Sequence, residues 1–373
     1  MESKHVSVKP EKSVNFKNPI KQARDMLKIE LIKENVRDVS GAVIEVVSYP
    51  NGDPGGYYWI NGDSFNRGDA PIAFDLTDMT SGQPWLNDIA MALWMFGPSL
   101  VKDASVVYRW LHAHMAVDGV LCLANEIPWR GKMPQRNEFG HFSDEEIHAL
   151  LVRSGFENIG FSDEGPYFRL WRATRSATIT PDMFYKVESQ LKRGNWRDAV
   201  EALGELDDCL DTLPAVREYA LLLAACHDLA GNTTQSYAAL TEALRMDPEC
   251  GRAMCGLGRL AAIKQDFDGA LLFFESALKK SPTLVAALEG RALICELLGD
   301  FKSAYEDLVD ASNFRPRDED LLFEVIRLGN LLGYQDELST FISTRNAISM
   351  SWDPSEHATP QSNEAASTFR ISC

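Results

Sequence analysis

A few histidines, aromatic residues and a basic loop are the places in this chain where chemistry could occur. His112 and His114 are two residues apart in residues 104–115 (ASVVYRWLHAHM), an amphipathic helical pattern. On a helix such residues point about 200° apart, so the pair cannot share a metal ion and reads as structural. His141 and His148 follow the apolar strand pattern 120–125 (VLCLAN), near the mouth where a general base would meet a substrate. His141 also precedes a helix cap and reads equally as a loop residue. Trp94 and Phe96 end the apolar run 88–96 (DIAMALWMF), where they would wall a substrate pocket or fill a core. The candidate pocket is thus Trp94, Phe96 and His141. Trp129-Arg130-Gly131-Lys132 is a small basic loop fit to meet an anionic group. The run Gly52-Asp53-Pro54-Gly55-Gly56 has no following Lys-Ser/Thr and is not a phosphate loop.

The elements that must position these residues alternate between strand and helix. Residues 1–18 are polar and expected to be flexible. Residues 18–36 carry helical spacing, with Asn18 before Pro19 as its start. Strands are expected at 41–49, 57–60, 71–76, 88–96 and 120–125, with turn chemistry at 50–56 and at Asp118-Gly119. Ser143 and Glu146 form a capping box for a helix over 144–154, which Gly155 ends. Two final strands, 156–161 and 167–174, are expected to pair antiparallel. This order is that of an α/β layer fold.

The run DIAMALWMF, the helix after it, Val117-Asp118-Gly119, and Glu146–Phe156 with Gly155-Phe156 together resemble the second half of a class I S-adenosylmethionine-dependent methyltransferase. The resemblance covers about residues 71–174 and implies a Rossmann-like sheet. It further implies S-adenosylmethionine as cofactor and no metal. Glu45 would take the acidic position at the first strand, Asp63 the ribose hydroxyls and Asp78 the place beside adenine. The first half departs from the family. PNGDPGG leaves no room for the helix that joins two parallel strands, which needs a dozen residues or more. Either the first two strands form a hairpin or the missing element is supplied differently.

Residues 251–282 set the frame of the second half. Leu257, Gly258, Ala270, Phe274, Ala277 and Pro282 stand at positions 7, 8, 20, 24, 27 and 32 of a 34-residue unit. One frame forward come Ala292, Ala304, Leu308, Ala311 and Pro316; one frame back come Leu223, Ala224, Leu240, Ala243 and Pro248. Small residues let antiparallel helices approach, large ones fill the space beside them, and proline ends the second helix. An earlier copy holds Gly194 to Ala199, 37 residues before Ser236, and a worn fifth copy starts near Glu319. The pattern resembles the tetratricopeptide repeat, with four copies and a capping fifth, stacked as helix–turn–helix units. The resemblance implies a protein partner on the first helices, where Arg252, Arg259 and Glu289 are the candidate groove residues. A clamp for a carboxylate tail needs Lys and Asn at positions 5 and 9. This chain has Leu221 and Ala225, Cys255 and Arg259, Glu289 and Leu293, so that clamp is missing.

Residues 177–373 hold 18 Lys+Arg against 31 Asp+Glu, a balance of −13, and residues 1–176 hold 19 against 23, a balance of −4, for −17 in all. An acidic solenoid repels phosphates, so nucleic acid is not an expected partner. The seven cysteines form no CxxC, which fits a reducing compartment without a disulfide framework. The charged start MESKHVSVKPEKS has no apolar core of a signal peptide, and no apolar run reaches 18 residues. The expected place is the cytoplasm. The expected organisation is a flexible segment 1–18, a methyltransferase-like domain 19–176, repeats 180–345 and a disordered tail 346–373. Two functions follow: methyl transfer to a substrate recruited by the repeats, or a catalytically inactive relative serving as scaffold or regulatory subunit.

Overall fold

The computed structural model describes residues 104–126, 142–164, 168–206, 210 and 212–350, together with strands at 42–46, 56–60, 72–75 and 89–95. The helix expected over 18–36, the loop 129–132, Asp63, Asp78, Phe96, His141 and residues 351–373 lie outside the described residues.

Strands β1 (Ala42–Val46), β2 (Gly56–Ile60), β3 (Ile72–Asp75), β4 (Ile89–Met95), β5 (Met115–Glu126), β6 (Phe156–Glu164) and β7 (Phe168–Arg175) make one mixed sheet. Their order is β3-β2-β1-β4-β5-β7-β6. β4 runs parallel to β1 and to β5, and the other pairs are antiparallel. Of the two alternatives left by the short PNGDPGG spacing, the antiparallel one is found: Val43 faces Ile60 and Val46 faces Tyr57. The turn expected at Asp118-Gly119 sits inside β5. Pairing already starts at Met115 opposite Ile89 and resumes at Val120 opposite Met91, so the residues between form a bulge. Asp118 is left-handed there (φ 62°). Gly119 is required because a Cβ would lie 2.8 Å from the carbonyl oxygens of Ala116 and Ile89.

Helices α1 (Ala104–His114) and α2 (Asp144–Arg153) pack together on one face of the sheet. Val107, Tyr108 and Leu111 of α1 and Ile147 and Leu151 of α2 share a core with Ala92, Leu121, Leu123 and Trp171. Residues of the other parity, such as Met91, Leu93 and Cys122, are buried as well. β4 and β5 are therefore covered on both faces, as their unbroken apolar runs require.

The rest of the described chain is a series of antiparallel helix pairs: α3 (Pro181–Lys192) with α4 (Trp196–Gly204), α5 (Leu213–Leu229) with α6 (Thr233–Met246), α7 (Gly251–Ile263) with α8 (Phe267–Lys280), α9 (Val285–Leu297) with α10 (Phe301–Phe314), and α11 (Glu319–Leu332) with α12 (Ser339–Met350). α12 takes in the first residues of the segment read as tail. The small residues of the frame do what their size predicts. Ala199, Ser236, Ala270 and Ala304 at position 20, and Ala243, Ala277 and Ala311 at position 27, are all completely buried. α6, α8 and α10 each end two residues before Pro248, Pro282 and Pro316, because the residue preceding proline is disfavoured in the helical region.

The turn inside each pair needs a left-handed residue. Gly194, Gly231, Gly299 and Gly333 supply it with φ between 72° and 85°, whereas the middle repeat uses Gln265 at φ 62°. A non-glycine residue there costs about 1–2 kcal/mol, partly offset by its smaller freedom in the unfolded chain. Gln265→Gly is therefore expected to raise stability by about 0.5–1 kcal/mol. A urea midpoint that stays put or falls would contradict this.

The two halves share a core at their junction. Val152 of α2 and Ile159 of β6 pack with Ile179, just before α3, and with Phe184, Val187, Ala199 and Leu203 of the first helix pair. Nearby, the His112 ring nitrogen Nε2 donates to the Ile179 carbonyl at 3.1 Å. Gly155 (φ 81°) lies so close that a Cβ would meet the His112 ring at 2.5 Å.

Candidate functional site

α2 carries the sequence DEEIHALLVR. Its apolar side faces the sheet core, and most of its polar side chains reach the helical repeats. The expected capping box is present: Ser143 accepts from the Glu146 amide, and Glu146 Oε2 accepts from the Ser143 amide at 2.7 Å. The other oxygen of the same carboxylate accepts from Arg315, at the end of α10, at 2.7 Å. Glu145 accepts from the backbone amides of Gly251 and Arg252 at 2.7 and 2.9 Å. It thereby caps α7, whose own N-cap residue Cys250 makes no side-chain cap. Unpaired amides and a partial positive charge at a helix start favour a carboxylate there. Gly251 leaves it room, since a Cβ would come 2.7 Å from Glu145 Oε1. Burial raises the Glu145 carboxyl while the two amides and Arg252 draw it back.

Further along α2, His148 Nδ1 accepts from Arg217 of α5 at 2.8 Å. Burial first, and then the Arg217 charge, hold this histidine neutral by pushing it down to about 4. His148 was expected near the mouth beyond residues 120–125 as a general base. It belongs instead to the contact between the halves, with its acceptor nitrogen already engaged. Arg153 ends α2 with bonds to Glu188 of α3 at 2.8 Å and Glu218 of α5 at 3.1 Å.

Glu218 is the centre of this contact. It is fully buried and lies against Arg153, Arg217 and Arg252, with Arg252 at 2.8 Å. Burial alone would raise its carboxyl, but the three guanidiniums bring it down to about 2.

The first helices of the repeats present one continuous face. At 100° per residue, positions 2, 5, 9, 12 and 13 of the frame fall within about 100° of arc. Arg259 at position 9 pairs with Asp228 at position 12 of the preceding repeat. Arg327 and Glu296 repeat that pairing two frames on, at 2.7 Å. Glu218 and Arg252 join at position 2. Of the expected groove residues, Arg252 and Arg259 are thus engaged with Glu218 and Asp228. Glu289, at position 5, is pushed up to about 7 by burial and by Asp318 and Asp320, with Arg315 opposing. Glu45 lies in β1 opposite Tyr58 and Leu93, and Trp94 lies in β4 opposite Leu123. His112 and His114 bond separate carbonyls, those of Ile179 and Trp110. Glu145, Glu218, Arg217 and Arg315 were missed by sequence reasoning. The one local signal was the Asp144-Glu145-Glu146 run, in which the capping box uses only Glu146.

Comparison with known proteins bears on the helical half. Residues 230–285 match a family model described as tetratricopeptide repeat. No curated protein matches the chain in sequence. Similar solved structures include MamA AMB-1, 18% identical, covering 48% of this chain and 98% of that one with a TM-score of 0.32. Another structure of MamA is 14% identical, covering 44% and 94%, with a TM-score of 0.34. Pseudomonas aeruginosa pilF is 14% identical, covering 45% and 75%, with a TM-score of 0.38. Among the described residues no helix is long and apolar enough to cross a membrane.

Proposed function

We propose that the chain is a protein-interaction scaffold, in which tetratricopeptide repeats hold a protein partner and the sheet domain is a non-catalytic element fixed to them. The observation that carries this reading is the seating of α2. Glu145, Glu146, His148 and Arg153 all bond the repeats, so the helix after β5 serves the solenoid.

The register of the first strands supports the same reading. Ile60, where the chain leaves β2, faces Val43, near the amino end of β1, while Glu45 lies toward the carboxyl end. In the resembling family the cofactor crevice opens at the carboxyl ends of strands one and four. The segment leading to Asp63 starts from the opposite end, which does not fit that pocket. The nine residues 47–55 are also too few for a crossover between parallel strands, and a helix start after the first strand is what would approach the cofactor. β3 runs parallel to β1, so the segment leading to Asp78 starts from the carboxyl end.

The second reading is methyl transfer from S-adenosylmethionine. The strand order favours it: β3-β2-β1-β4-β5-β7-β6, with β7 antiparallel to both neighbours, is similar to the order of the class I methyltransferase sheet. Calorimetric titration with S-adenosylmethionine and S-adenosylhomocysteine decides between the two. The scaffold reading expects no binding heat up to about millimolar ligand from folded protein. Micromolar binding, lost in Asp63→Ala, would overturn it and place catalysis first.

A further inference from the structure

β6 is the last strand of the sheet, so one of its edges faces away from β7. The extra residue near Asn158 (φ 51°) bends only its start; from Gly160 to Glu164 it pairs with β7 residue for residue. The Ser176 amide donates to the Gly155 carbonyl at 2.8 Å, and bonded pairs alternate along antiparallel strands. Even-numbered residues of β7 therefore bond β6, and their partners beyond the bulge are Gly160, Ser162 and Glu164. The amides and carbonyls of Phe161 and Asp163 then point outward. Phe161 is 54% exposed yet held in place. Its ring packs on Trp171 with 4.9 Å between centroids, and the Arg169 guanidinium lies 4.1 Å over it. Arg169 also bonds Asp163, at 2.6 and 2.9 Å, and Asp144, so two carboxylates share one cation. β6 adds Glu157 and Glu164 and carries no basic residue. Proteins usually blunt such an edge with lysine or proline, and residues 160–164 hold neither.

We infer that this edge of β6 receives an extended, basic strand of another protein. That strand places an apolar side chain beside Phe161 and Lys or Arg beside Asp163 and Glu164. The outward amides and carbonyls of Phe161 and Asp163 supply the main-chain bonds, and the alternating side chains set the register. The surplus of carboxylates selects a basic strand. It disfavours a second copy of this chain, whose β6 would bring the same acids to the same edge. The sheet domain thereby has a contact surface of its own, apart from the repeats that α2 bonds. The inference goes beyond the scaffold reading and does not depend on it.

Fluorescence anisotropy on the full chain tests this with the labelled peptide Lys-Lys-Thr-Ile-Thr-Val. Laid antiparallel to β6, its second lysine faces Asp163 and its isoleucine faces Phe161. Saturable binding at about 10–100 μM is expected, weakened about tenfold or more by Phe161→Ala. Circular dichroism checks that this variant keeps the fold. On the wild-type chain, methylating the isoleucine amide should also weaken binding about tenfold or more, since that N–H meets the Phe161 carbonyl. Replacing both lysines by glutamate should do the same at fixed salt concentration. Absence of saturable binding, or equal affinity for the methylated or the glutamate peptide, would overturn the inference. Equal affinity of the folded Phe161→Ala variant would overturn it too. So would sedimentation showing a wild-type dimer that Phe161→Ala dissociates, because the edge would then belong to a second copy. The two peptide comparisons need no variant, so they decide even where Phe161→Ala fails to fold. The methyl-donor titration strikes the scaffold reading separately.

Discussion

Glu218→Ala is expected to destabilise the protein by about 3–5 kcal/mol, the usual cost of removing one partner from a buried ion cluster. The carboxylate is completely buried and stands between Arg153, Arg217 and Arg252. Without it three guanidiniums keep their charge with much of their compensation gone. A melting-temperature drop of about 10 °C is expected, from a protein of this size class. The variant should also loosen α2 from the repeats, since Arg153 loses one of its two acceptors. The pH dependence has a definite sign. The folded carboxyl is lowered to about 2, below its unfolded value near 4.3. Its contribution is then fully present above the unfolded pKa and is lost as pH falls toward 2. Wild type should lose stability over that window and Glu218→Ala should lose less. Equal acid sensitivity of the two, or a cost below about 1 kcal/mol, would contradict the account.

Phe274→Ala is the second large effect, expected at about 3–5 kcal/mol. The ring is 1% exposed and packs between α7 and α9. A Cβ at Gly258 would meet it at 3.0 Å, and one at Gly290 at 2.4 Å. Both glycines are there because the ring occupies the space a side chain would need. Gly290→Ala alone is therefore expected to cost about 1–3 kcal/mol by overpacking. In the Phe274→Ala background the added methyl enters the vacated space, so the double variant should cost less than the sum, by about 1 kcal/mol or more. Strict additivity would mean that the glycine and the ring are not fitted to each other.

These two sites differ in how far they could be read in advance. Phe274 and its small neighbours recur at fixed positions of a 34-residue frame, and local periodicity reports such packing directly. The strands, α1, α2 and the last antiparallel pair were legible for the same reason, since each rests on residues close in sequence. At Asp118-Gly119 the sequence carries turn chemistry but no sign of the pairing around it, so the structure has a bulge where a turn is expected. The cluster at Glu218 was not legible. Glu145 and Gly251 are 106 residues apart, Arg153 and Glu218 are 65 apart, and neither member of a pair carries a local sign of the other. The partners of His148 and Arg252 likewise lie in another domain or another repeat, beyond the reach of a local pattern.

The most direct measurement of the central claim, that the sheet domain is fixed to the repeats through α2, is hydrogen exchange followed by mass spectrometry on the full chain. The account predicts strong protection of the Gly251 and Arg252 amides, which Glu145 accepts, together with α2 itself. In Glu145→Ala, protection at Gly251 and Arg252 should fall at least tenfold while the core of α9 and α10 stays unchanged. Rapid exchange of those two amides in the wild-type chain, or no change in the variant, would contradict it.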